Sequence, residues 1–366
     1  MTAAQAVAAV MFGAVVLYAV FGGADFGSGV WDLTAGDART GARTRRLVDH
    51  SIGPVWEANH VWLIFILVFL WTGFPGPFAT LMRVLAVPFW LAGLGIVARG
   101  AGFAFRKFSP TLRWARVGGS TFAAASLITP FFLGTIAGAI ASGRVSPEGS
   151  TATSWLGPTS ILGGFLAVAT CTFLAGVLLC AGAAATGQTA LAEDLRRKSL
   201  IGGAVTGVVV VGGIPVVLSD AEYLSDGLLG RALPLVLLSA VGGAATFALL
   251  VKRHYRAARI GAALAVATVV MGWGVAQYPW ILVDEVSIAD GAGDGTTMIA
   301  LLVASAAAAV LVAPPLVYLL FLADSGRFTS TPLVEAPSES GDGSVSTSEP
   351  APSGSRPPST STSSTT

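Results

Sequence analysis

Four ionisable residues interrupt stretches that are otherwise apolar: Asp25, Glu57, His60 and Arg99. An ionisable group at membrane depth costs at least ~2.5 kcal/mol at a helix centre, so each of the four calls for a partner or a task. Glu57 and His60 stand three apart, and Trp56 and His60 four apart, which puts them on one helix face. A carboxylate and an imidazole stacked this way can pass a proton, because burial brings the titration of both toward neutrality. Arg99 is the natural counter-ion of Asp25 or Glu57. Two compatible readings follow: a proton-conducting group, or ion pairs that lock three helices together. A third sets some of the four at headgroup depth. Haem ligation is a sharper possibility. His50 and His254 fall at helix ends, so His60 could pair only with a methionine such as Met271.

The elements that carry these residues must be membrane helices. Of 366 residues 54% are hydrophobic and only 11% charged, against roughly 25% charged in a soluble domain. So much apolar surface requires lipid as part of the solvent. Nine segments match the ~20 apolar residues that a bilayer demands: 4–32, 51–73, 79–105, 117–142, 157–186, 199–219, 231–254, 258–282 and 297–323. The architecture expected is an all-α polytopic membrane protein over 1–324. Beyond it, 325–366 is rich in Ser, Thr, Pro and Gly, buries too little apolar area to offset its ordering entropy, and is expected to be a disordered tail.

Basic residues orient the spans. Four alternate loops hold fifteen Lys and Arg, including Arg45, Arg46, Arg106, Arg196 and Arg253, against three (Arg83, Arg144, Arg231) in the others. The loop before the last span is acidic, with Asp284, Glu285, Asp290 and Asp294. The positive-inside rule then places the N-terminus outside and the tail in the cytoplasm. No Lys or Arg precedes Arg39, so the first span reads as a retained helix rather than a cleaved signal. On this topology Asp25, Glu57, His60 and Arg99 lie roughly 9–13 Å from the cytoplasmic helix ends, at ~1.5 Å per residue.

Other features exclude more than they assign. Cys171 and Cys180 form no CxxC or Cys/His cluster, so a zinc, iron–sulfur or covalent haem site is not expected. A net charge of +1 gives no sign of a nucleic-acid partner. No Walker A, GxSxG or HExxH motif occurs, so the chain alone carries no catalytic apparatus. The stretch GWGVAQYPWIL (Gly272 to Leu282) reads as a helix ended by Pro279.

Three motifs together resemble subunit II of cytochrome bd quinol oxidases. LYAVFGGADFGSGVWDL (Leu17 to Leu33) is similar to the DGFDLGxG signature of that family's first helix. IGPVWEANHVWL (Ile52 to Leu63) is similar to its PVWDGNxxWL motif, and ARGAGFAFRKF (Ala98 to Phe108) to its LRGxxFEFR segment. GWGVAQYPWIL completes the order, so the resemblance covers most of 1–324. It implies nine helices, arranged as two four-helix bundles plus one peripheral helix. It also implies a partner, a homologous subunit I that carries haem b and haem d and oxidises quinol while oxygen is reduced to water. The complex sits in the bacterial inner membrane and draws protons from the cytoplasm; a small accessory subunit is left open. Subunit II binds no haem itself. The proton-path acid of the second motif falls on Glu57, the helix-1 aspartate on Asp25 and the LRG arginine on Arg99, with Trp56 and Asn59 as motif residues. Departures are plain: Gly22 replaces an acid, Ala24 a phenylalanine and Ala104 another acid, while Glu57 is lengthened and His60 gained. The proton route is then either rewired through His60, or the chain is a divergent paralogue. A cation or small-solute transporter on the same scaffold, and a purely structural subunit, are the alternatives.

Overall fold

In lipid every backbone N–H and C=O must be satisfied within its own segment, so the long apolar runs fold as helices. A computed structural model describes the backbone of residues 1–37, 41–52, 56–108 and 111–324, and their side chains apart from 52, 56–58, 107–108, 112, 312–313, 316–317 and 319–324. The expected tail, 325–366, lies outside the described residues. In chain order the helices are α1 (Ala3–Leu33), α2 (Ala42–Ile52), α3 (Trp56–Gly73), α4 (Pro75–Val84), α5 (Ala86–Phe108) and α6 (Leu112–Ala141). Then come α7 (Pro158–Ala185), α8 (Thr189–Asp220), α9 (Glu222–Leu229), α10 (Leu233–Val251) and α11 (Tyr255–Gln277). A short antiparallel hairpin, β1 (Trp280–Leu282) with β2 (Val286–Ser287), precedes α12 (Gly295–Asp324).

Among the described residues, seven helices are long and apolar enough to cross a bilayer: α1, α5, α6, α7, α8, α10 and α11. An eighth span results if α3 and α4, bent by 119° at Phe74, count as one. The ninth expected segment falls on α12, whose described apolar part, Gly295–Leu311, is shorter than a span. The chain forms two compact units, Met1–Ala309 and Val310–Thr366, and everything below concerns the first.

Several expected boundaries are corrected. The segment 51–73 is divided between the amphipathic α2, which carries Arg43, Arg45 and Arg46 and ends at Ile52, and α3, which begins at Trp56; 53–55 lie outside the described residues. Glu57 therefore occupies the second position of α3 and His60 the fifth, rather than lying two turns into a longer helix. The segment 79–105 begins within α4 and breaks at Leu85 before α5. Helix α8 starts ten residues before the expected 199, since Glu193–Arg196, Glu193–Arg197 and Asp194–Lys198 pairs support a charged extension. Pro215 does not interrupt it. Helix α11 ends at Gln277 rather than 282, as the termination reading of Pro279 requires, and the chain turns into the hairpin.

Helix α6 packs between α5 and α7, α7 also against α8 and α1, α1 against α3 and α6 as well, and α10 against α11, which reaches α7 and α1. Met298 and Leu301 of α12 pack against a core containing Val7, Phe69 and Phe74. Small residues permit the closest crossings. A Cβ on Gly27 would stand 1.8 Å from the Cys171 carbonyl oxygen, so α1 and α7 touch backbone to backbone there. Gly102 and Gly118 do the same for α5 and α6, where a Cβ on either would lie within 2.8 Å of the other's carbonyl oxygen.

Candidate functional site

Asp25 on α1 and Arg99 on α5 meet in the protein interior, with side chains only 1% and 2% exposed. The guanidinium grips the carboxylate through two bonds, Nη1 to Oδ2 at 3.0 Å and Nη2 to Oδ1 at 2.7 Å. Nη2 also donates to the Asp25 carbonyl at 2.9 Å, and Nε donates to Ser126 Oγ on α6 at 2.9 Å. Ser28 Oγ donates to the same Asp25 carbonyl. Such a bidentate, charge-assisted pair is the arrangement in which a buried charge is best compensated. The expected counter-ion is thus found, and it serves Asp25.

A second pair, absent from the expected site, repeats the first. Asp32 and Arg106 each lie seven residues on, and Arg106 Nη1 reaches Asp32 Oδ2 at 2.5 Å. Asp32 is buried, Arg106 is mostly so, and Arg45 of α2 adds an Nε–Oδ1 contact of 3.1 Å. Arg106 also binds Asp49 of α2, whose side chain is 45% exposed. Phe122 of α6 lies between the two guanidiniums, its centroid 4.7 Å from the Arg99 carbon and 4.8 Å from that of Arg106. The result is a ladder of charge running inward from Asp49 through Asp32–Arg106 to Asp25–Arg99. Its signal in the sequence was the equal spacing: Asp25 to Asp32 and Arg99 to Arg106 are both seven, two turns on one helix face.

Helix α3 borders the ladder. Asn59 is buried and donates through Nδ2 to the Phe21 carbonyl at 3.3 Å, tying α3 to α1. His60 is half-buried, its ring 6.2 Å from that of Phe26, and it lies within the electrostatic reach of both Asp25 and Arg99. The side chains of Trp56 and Glu57 are outside the described residues, so only their places in the first turn of α3 are fixed. The structure thus brings Asp25, Arg99, Asn59 and His60 together.

His60 and Met271 are not brought together. His50 and His254 are exposed at the ends of α2 and α11. Met271 is 44% exposed on α11, which packs chiefly on α1, α7, α9 and α10 rather than on α3, where His60 stands. Among the described residues no three His, Cys, Asp or Glu side chains converge to hold a metal ion.

At the opposite end of the helices Arg144 pairs with Asp220, which also accepts from the Thr159 amide at 2.9 Å. Gln277 accepts from Trp273 Nε1 at 2.8 Å and donates to the Ile281 carbonyl at 3.1 Å, anchoring the hairpin. Both sets hold loops in place.

These features define a polytopic helical membrane protein whose interior charges are paired between α1 and α5. The family profile described as cytochrome bd terminal oxidase subunit II matches residues 3–323. The chain belongs to the cytochrome bd terminal oxidase subunit II family. A chain of the solved bd oxidase from Geobacillus thermodenitrificans superposes with a TM-score of 0.73 at 23% identity, covering 88% of this chain and 98% of that one, and so shares the fold. Cytochrome bd ubiquinol oxidase subunit 2 of Bacillus subtilis is 34% identical over 114 residues, 31% of this chain. That match spans about a third of the relative, 33% of its length.

Proposed function

We propose that the chain is the non-haem subunit of a quinol:oxygen oxidoreductase and assists proton uptake into the complex. Family membership over residues 3–323 is the observation that carries this reading. The complex would oxidise quinol and reduce oxygen to water, with haem b and haem d in a homologous subunit I, since His60 and Met271 of this chain do not converge. The partner supplies the redox chemistry; this chain supplies packing and ionisable groups. It would sit in the bacterial plasma membrane with the N-terminus outside and the tail cytoplasmic, a reading supported by the clustering of fifteen Lys and Arg between alternate expected spans.

Glu57 is the residue proposed to load protons. It stands on α3 three residues before His60, and residues three apart share a helix face. Asp25 is a different case. Its carboxylate is occupied on both oxygens by Arg99, which favours a structural role as a clamp between α1, α5 and α6. His60, beside this clamp, would pass protons between Glu57 and the interior.

Glu57→Gln in the intact complex tests the uptake role, because it keeps size and removes the titrating proton. Quinol-dependent oxygen consumption should fall by roughly a hundredfold or more, the lower end of general acid–base contributions, with haem content and subunit ratio unchanged. Unchanged turnover in an intact complex would leave this subunit a structural role. A folded preparation lacking a haem-bearing partner, yet moving cations across vesicles, would instead establish the transporter alternative.

A further inference from the structure

Tyr18 continues the ladder's face of α1. Tyr18, Asp25 and Asp32 stand seven apart, so each is two turns from the next along one buried stripe. Tyr18 falls near the middle of α1, roughly 10 Å beyond Asp25 at ~1.5 Å per residue. Arg99 and Arg106 hold the two acids in ion pairs, whereas Tyr18 Oη is buried and makes no hydrogen bond to any described residue.

The ring's position explains how the hydroxyl comes to be there. A Cβ on Gly22 would stand 2.9 Å from Tyr18 Cε2, so the ring lies in the space that this glycine leaves open. It meets Phe26 edge-on at 6.2 Å, and Phe26 in turn approaches His60. Asp25, Arg99 and Cys171 of α7 all act electrostatically on the hydroxyl. Leaving a buried hydroxyl unpartnered costs about 1–3 kcal/mol, and buried groups of this kind are ordinarily satisfied by internal water.

We propose that Tyr18 Oη binds an internal water on the Asp25 side of α1 and relays protons delivered through Glu57 and His60 toward mid-bilayer. The relay is neutral: a protonated water on the Asp25 side gives its extra proton to Oη as Oη's own proton passes to a second internal water on the far side, which becomes the protonated one. The phenol is regenerated and no charge rests on it. This inference rests on the proton-uptake reading above and names the residue that extends it.

The test uses the intact complex. Tyr18→Phe keeps the ring over Gly22 and removes only the hydroxyl. Turnover should fall roughly threefold to tenfold, the rate equivalent of one buried hydrogen bond, with a larger solvent deuterium isotope effect and unaltered haem content. Unchanged turnover alongside a slowed Glu57→Gln complex would overturn the Tyr18 relay and leave uptake through Glu57 standing. If neither variant were slowed, both proposals would fall. A cryo-EM map of the wild-type complex that resolves internal waters decides the matter even if Tyr18→Phe fails to assemble. A water bonded to Tyr18 Oη supports the relay, and a dry hydroxyl overturns it.

Discussion

Replacing Arg99 by Met removes the guanidinium while keeping an unbranched apolar side chain of similar reach. In the native protein that group makes four hydrogen bonds, two to the Asp25 carboxylate, one to the Asp25 carbonyl and one to Ser126, and lies over the rings of Phe26 and Phe122. With Asp25 only 1% exposed, its carboxylate would be left buried and uncompensated. Breaking a buried pair from one side costs about 3–5 kcal/mol. Removing both charges with Asp25→Asn should restore much of that loss, because the remaining groups are neutral and can bond to Ser28 and Ser126. The assay is a double-mutant cycle on the purified complex, with unfolding followed in increasing concentrations of sodium dodecyl sulfate. A coupling energy of about 2 kcal/mol or more is expected. If the single and double variants add to within ~0.5 kcal/mol, the pair is not the clamp described.

Gly27→Ala should prevent the α1–α7 crossing, because its Cβ would fall 1.8 Å from a backbone oxygen, while Gly13→Ala, with nothing within 4 Å, should be neutral; yields and thermal stabilities of the two complexes compare them directly. Asp294 accepts the Thr296 amide at 2.8 Å at the start of α12, and that bond holds its carboxyl below the ordinary aspartate value of 3.8. The folded form therefore favours the ionised acid. Its contribution is complete above the ordinary value and is lost as pH falls through the lower, folded one. Hydrogen exchange at Thr296 should accelerate at that acid end, and Asp294→Asn should abolish the pH dependence; equal pH dependence in both proteins would refute the cap.

The apolar spans were legible because about twenty hydrophobic residues in a row have one solution in lipid. Asp25 and Arg99 were legible as partners because each is expensive alone at that depth. What escaped the sequence was built from charges at helix ends and from short amphipathic pieces. Arg45 and Arg106 count as loop residues by the positive-inside rule, yet they fold back on Asp32, which is buried at the end of α1. Helices α2 and α4 are too short to stand out in a bilayer-length window, so α2 and the bend at Phe74 were absorbed into their neighbours. The hairpin after α11 was missed because Trp280–Leu282 continues the apolar character of the helix before it. Tyr18 gave no signal on its own; only the placement of its ring beside Gly22 makes the buried hydroxyl visible.

The most direct test is a reduced-minus-oxidised spectrum of the tagged chain, purified from its native membranes in mild detergent. The account predicts haem b and haem d bands that co-purify with a second membrane subunit. A folded, haem-free preparation with no such partner would contradict it.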